Sequence, residues 1–110
     1  MNAESIRTYC LAREGAEESF PFGEGALVFK VAGKMFLLLS LDAVPLSFNA
    51  KCDPDRAQEL RETYSTIIPG YHMNKKHWNT VIVDGSLGDK LIKELIDHSY
   101  DLVKPKTKRK

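Results

Sequence analysis

The chain has 110 residues, 43% hydrophobic and 28% charged, with a formal net charge of +1. That is one domain's length, with enough apolar material for one core, and it excludes a disordered or collagen-like chain. Without the five bases among the last seven residues, eleven bases face fifteen acids, so the body carries −4; this is not the overall basic footprint of a dedicated DNA binder.

Residues 3–13 read as a helix capped by Asn2. Ile6, Tyr9 and Cys10 form its i, i+3, i+4 stripe, and Gly15 ends it. Residues 16–25 read as a loop, acidic at Glu17 and Glu18, with an aromatic turn at Phe20-Pro21-Phe22-Gly23. Residues 26–31 alternate as a strand with Leu27, Phe29 and Val31 on one face. A turn at Ala32-Gly33 leads to a more fully buried strand over 34–41. A third strand spans 46–51, with Leu46, Phe48 and Ala50 inward.

Asp53-Pro54 is a helix start, a capping aspartate followed by proline at the first helical position. That helix reaches about Tyr64. Residues 67–72 and 78–83 then form a second hairpin around Met73-Asn74-Lys75-Lys76-His77. In its second arm Trp78, Thr80 and Ile82 share one face and Asn79, Val81 and Val83 the other, and periodicity does not choose which is buried. Ser86, with Asp89 three residues on, has the pattern of a capping box for a last helix that ends near Val103. Residues 104–110 (Lys104, Lys106, Lys108, Arg109 and Lys110 among them) form a basic tail expected to be disordered or to act as an anion-attracting arm.

The order α-βββ-α-ββ-α predicts a single α+β domain over residues 1–103. It would have two layers: a mostly antiparallel five-stranded sheet with helices on one side.

Cys10 and Cys52 belong to no C-x-x-C, no signal-peptide pattern opens the chain, and no apolar run nears the ~18 residues that span a bilayer. The expectation is a cytoplasmic protein with free thiols and no membrane partner. Cys52, just before a helix start, is where a thiolate could be stabilised, against the plainer reading of a small buried hydrophobe. His72, His77 and His98 lack a carboxylate or thiol set that would complete a metal shell. No nucleophile–base spacing, glycine-rich phosphate loop or G-x-S-x-G is present. The chain is therefore expected to be non-enzymatic and to use no cofactor.

The densest segment is the second hairpin. Lys75 and Lys76 can neutralise phosphates. His72, Asn74 and Asn79 can donate to phosphates or base edges. Tyr71 and Trp78 can stack on bases, and His77 lies between the lysines and the tryptophan. The competing reading is an ordinary turn beside a core tryptophan.

These residues carry a resemblance to the MmcQ/YjbR family of small bacterial proteins. The matching motifs are Glu17-Glu18 with Pro21-Phe22-Gly23, Val28-Phe29-Lys30-Val31, Gly33-Lys34-Met35-Phe36, Lys51-Cys52-Asp53-Pro54 and Tyr64. They continue with the run from Pro69 to Val81 and with Ser99-Tyr100-Asp101-Leu102-Val103. The resemblance implies a fold similar to frataxin-type (CyaY-like) and secretion-chaperone-like domains. It implies DNA binding, by likeness to a "double wing" domain, with the 71–79 hairpin as the surface. Frataxin likeness would suggest iron, but Glu4 and Glu14 are too few for an acidic ridge on the first helix. The expected function is therefore a DNA-binding or regulatory module of low affinity, monomeric or homodimeric. The alternatives are a chaperone-like protein-interaction module presenting Tyr71, Trp78 and Phe22, and a small-ligand-binding protein with a pocket near Trp78, His72 and Phe22.

Overall fold

A computed structural model describes residues 1–70 and 73–105. Among them, three helices and six strands follow in the order α1 (Ala3–Leu11), β1 (Ala16–Ser19), β2 (Ala26–Val31), β3 (Lys34–Ser40), β4 (Leu46–Lys51), α2 (Pro54–Thr63), β5 (Ile67–Pro69), β6 (Trp78–Val83) and α3 (Asp89–Val103). The strands form one antiparallel sheet in the order β1-β2-β3-β4-β6-β5. The expected α+β class holds, but the sheet has six strands rather than five.

The extra strand lies in the segment read as a loop. Ala16–Ser19 pairs with Val28–Val31 through its backbone, so its sequence needs no apolar alternation. Glu18 faces the helices, where Arg7 of α1 donates to it at 2.6 and 2.5 Å. This pair holds the Glu18 carboxyl below its ordinary range. Other boundaries move as well. α1 stops at Leu11, and a turn carries the chain to Gly15 at φ 76°. α3 starts at Asp89 behind Gly88, not at a Ser86 cap. The Ser86 amide instead donates to Asp84, and the Asp89 carboxylate takes the N-terminal amine at 3.1 Å. The start of α2 is as read: the Asp53 carboxylate accepts from the Arg56 amide at 3.2 Å, with Pro54 behind it.

The helices pack on one face. Leu27, Leu39, Phe48, Val81 and Ile67 are successive cross-strand partners. They make one buried apolar row across five strands, each side chain contributing about 1.5–3 kcal/mol of transfer free energy. This row settles β6: Asn79 and Val81 face the helices, and Trp78, Thr80 and Ile82 face away. Ile92, Leu95 and Ile96 of α3 close the core.

A bulge interrupts β3. Phe29 pairs with Leu37 but Lys30 with Met35, so Phe36 is the extra residue. Phe36 and Leu37 are both fully buried. Ser99 of α3 repairs the backbone there: the Lys51 amide donates to its hydroxyl at 2.9 Å, and that hydroxyl donates to the Phe36 carbonyl.

Candidate functional site

The sheet has two unlike ends. One carries the β2–β3 turn, the Cys52-Asp53 junction and the turn between β5 and β6. The other carries the β1–β2, β3–β4 and β6–α3 loops. The basic hairpin lies at the first end.

Its turn is built from backbone bonds. The Asn74 carbonyl accepts from the amides of His77 (3.2 Å) and Trp78 (2.9 Å), and the Asn74 side chain accepts from the Lys76 amide at 2.9 Å. The His77 carbonyl accepts from the Cys52 amide at 2.8 Å, tying the turn to the end of β4. Gly70 donates to the Trp78 carbonyl at 2.9 Å. A side chain there would have its Cβ 2.8 Å from the Trp78 Cβ and 2.9 Å from the Trp78 carbonyl oxygen; glycine is what allows this approach.

α2 holds the turn from beneath. One Arg61 nitrogen, Nη1, donates to the Lys75 carbonyl at 2.8 Å and to Asn79 Oδ1 at 3.1 Å. Asn79 Nδ2 donates to the Ala57 carbonyl at 3.4 Å. Asn79 is only 3% exposed. It was expected at the binding surface, but it faces the helices and supports the turn, because β6 presents its odd-numbered residues to the core.

The other expected residues divide clearly. Asn74, Lys75 and Lys76 are exposed, while His77 and Trp78 are half-buried. The Lys75 ammonium donates to the Gly70 carbonyl at 3.2 Å, which uses one of its three donors. Tyr71 and His72 lie outside the described residues. Sequence reasoning missed two residues here. Lys51 is the cross-strand partner of Trp78 on the helix-free face. Arg61 is a lone arginine in the last turn of α2, and only tertiary structure brings it to the hairpin.

The same end holds a cleft of about 750 Å³ lined by Arg13, Glu14, Ala32, Asp97, Tyr100 and Lys104. Its charges are largely paired within it. Arg13 meets Asp97 at 2.7 Å and Lys104 meets Asp101 at 3.2 Å. Lys104 and Pro105 line this cleft, so the described chain ends at the hairpin end of the sheet. Residues 106–110 lie outside the described residues.

The thiols are not poised for chemistry. Burial pushes the Cys10 thiol up to about 12 and also raises that of Cys52, against the opposing pull of Arg56. The plainer reading of Cys52 holds: it is 4% exposed, a small core residue, and a thiolate before α2 is disfavoured. Among the described residues, no three His, Cys, Asp or Glu side chains are grouped as metal ligands. No helix among them is long and apolar enough to cross a membrane. Phe22 lies at the far end of the sheet from Trp78, so a single pocket bounded by both is excluded by the strand directions.

His98 of α3 meets the start of α2, its Nε2 accepting from the Asp53 amide at 3.1 Å. Burial first, then Arg56, lower its pKa against the pull of Asp53 and Asp101; Glu94 and Asp97 also line this spot. The neutral imidazole is thus the native form. Its contribution to stability is complete above about pH 6.5, the unfolded value, and is lost as pH falls through the lower folded value. Urea midpoints measured from pH 7.5 down to 5 should fall more steeply for the unchanged chain than for His98→Gln. Parallel curves would show that the Asp53 bond does not discriminate protonation states.

The family model YjbR matches residues 11–102. The chain is 40% identical to YbdF of Escherichia coli O157:H7 over 101 residues, covering 91% of this chain and 82% of that protein. It is 35% identical to YjbR of Escherichia coli K12 over 113 residues, covering 100% and 96%. Among solved structures, Deinococcus radiodurans DR2400, described as a DUF419 domain, superposes with a TM-score of 0.86 at 40% identity, covering 90% of this chain and 75% of that one. A Pseudomonas syringae protein superposes with a TM-score of 0.82 at 28% identity, covering 94% and 100%. With the model spanning most of the domain and relatives matching nearly end to end, the chain belongs to the YjbR family.

Proposed function

We propose that the protein is a non-enzymatic nucleic-acid-binding module of modest affinity that uses the hairpin end of the sheet. One observation carries this reading: Lys75 and Lys76 stand exposed on a turn locked from beneath, beside the helix-free face where Trp78 pairs with Lys51. Two lysines on the turn and a third paired with Trp78 across the strands suit a phosphate backbone with a base stacked beside it. Lys104 and Pro105 stand at the same end, and the five bases of the last seven residues add sequence-independent attraction. The body charge of −4 repels nucleic acid elsewhere, which keeps affinity low and orients the encounter.

The test is a salt titration of binding to labelled mixed-sequence duplex and single strand. Three lysine–phosphate contacts give a slope of about −2.7 on duplex in a plot of log affinity against log salt. A chain ending at Val103 should keep salt-dependent binding. Lys75→Glu with Lys76→Glu should lower affinity by about tenfold or more at low salt at a stability cost of no more than about 1.5 kcal/mol, since both side chains are exposed and only the Lys75–Gly70 hydrogen bond is lost. Unchanged binding by that pair, or binding that disappears with the tail, would sink the reading.

A further inference from the structure

The opposite end of the sheet has the reverse character. Phe22 is 71% exposed, Phe20 49% and Val44 96%. Phe20 and Phe22 lie in the β1–β2 loop and Val44 in the β3–β4 loop. A 2.8 Å bond from the Leu41 amide to the Gly25 carbonyl joins these loops. The β1–β2 loop is a closed turn: Gly23 donates to the Phe20 carbonyl at 3.3 Å, and Pro21 fixes its first corner. The aromatic rings are thus offered on a preformed support, and aromatic side chains lose little entropy on contact. From Val44 and Pro45 a groove of about 310 Å³ runs down the helix-free face past Ser47 and Asn49 to Ile68 and Ile82. Among the described residues, none that lines it is charged.

The rim decides the occupant. The charged residues of the three loops at this end, 20–25, 41–45 and 84–88, are Glu24, Asp42 and Asp84, and all three are exposed. A lipid surface is disfavoured, because membrane-inserting loops pair apolar tips with lysine or arginine and anionic headgroups would meet carboxylates here. A symmetric second copy is also disfavoured, since it would bring both sets of three carboxylates together. We propose that this end docks a segment of another protein that carries an aromatic or aliphatic anchor flanked by lysine or arginine. The anchor enters the neutral groove beside Val44 and Pro45, Phe22 offers a second apolar contact from the adjoining β1–β2 loop, and the flanking bases meet Glu24, Asp42 and Asp84. This inference stands apart from the nucleic-acid reading, which concerns the other end.

A random-peptide phage library panned against the immobilised full chain tests it. Enriched peptides should combine an apolar anchor with basic flanks. A synthetic copy should shift amide resonances in residues 20–25 and 41–45. It should bind the Phe22→Ser, Val44→Ser chain about tenfold or more weakly and the Lys75→Glu, Lys76→Glu chain unchanged. Both serines replace exposed side chains, so the variant should keep its fold, checked by its amide spectrum. Four outcomes would overturn the proposal: no enrichment, peptides without basic flanks, equal retention by the serine variant, and shifts confined to the hairpin end. So would binding to phosphatidylcholine or phosphatidylglycerol vesicles through these loops, or a concentration-dependent dimer abolished by the serine pair.

Discussion

Replacing Ser99 by alanine should destabilise the protein by about 2–4 kcal/mol. Ser99 is fully buried, and its hydroxyl joins Phe36 and Lys51 across the β3 bulge. The regular ladder pairs Leu37 with Ala50; the next rung would set Phe36 against Lys51, and the serine oxygen spans it instead. Alanine removes one oxygen and almost no volume, so the cavity term is small. The cost is the desolvation of two backbone groups, a donor and an acceptor, each about 1–3 kcal/mol when left unpaired. At roughly 4 °C per kcal/mol for a domain of this size, thermal unfolding should move down by about 8–16 °C. Ser65→Ala, at an exposed position, should stay within about 0.5 kcal/mol. A Ser99→Ala loss of that small size would mean that water takes over the bridge and that the hydroxyl does not dock α3 to the sheet.

Ser99 also shows which kind of information the sequence holds. It stands with Ile92, Leu95, Ile96 and Val103 on the buried face of α3, where a polar residue needs a partner. The partner was not visible, because it is created by a bulge on a strand sixty-three positions away. Where structure rests on local chemistry, the reading held. Asp53-Pro54 starts α2, and the alternation of Leu46, Phe48 and Ala50 orients β4. Where structure rests on a distant partner, it failed. β1 is defined by backbone bonds to β2, so its four residues Ala-Glu-Glu-Ser carry no strand pattern of their own. Ser86 and Asp89 match a capping box in sequence, yet each is bonded elsewhere, Ser86 to Asp84 and Asp89 to the N-terminus. The hairpin lies between these cases. Its basic tip was legible from composition. The inward turn of Asn79 was not, because β6 carries apolar residues on both faces and only pairing with β4 and β5 settles its orientation.

That inward turn makes Arg61→Ala the most informative change near the proposed site. The substitution leaves the buried Asn79 oxygen without its charged donor and releases the Lys75 carbonyl. The stability cost should be about 1–3 kcal/mol, the range for hydrogen bonds to charged groups. The effect on binding separates two roles. If Arg61 acts by holding the turn, nucleic-acid affinity should fall while the salt slope stays the same, because Lys51, Lys75 and Lys76 still meet the same phosphates. Backbone relaxation over residues 73–77 should then report faster motion. If Arg61 itself touches phosphate, its loss should lower the slope by about 0.9, as loss of one lysine contact would. The two hydrogen bonds donated by the one guanidinium nitrogen favour the first outcome. A positively charged side chain on α2, committed to the Lys75 carbonyl and the Asn79 amide oxygen beneath the turn, is placed to hold the backbone from which Lys75 and Lys76 project.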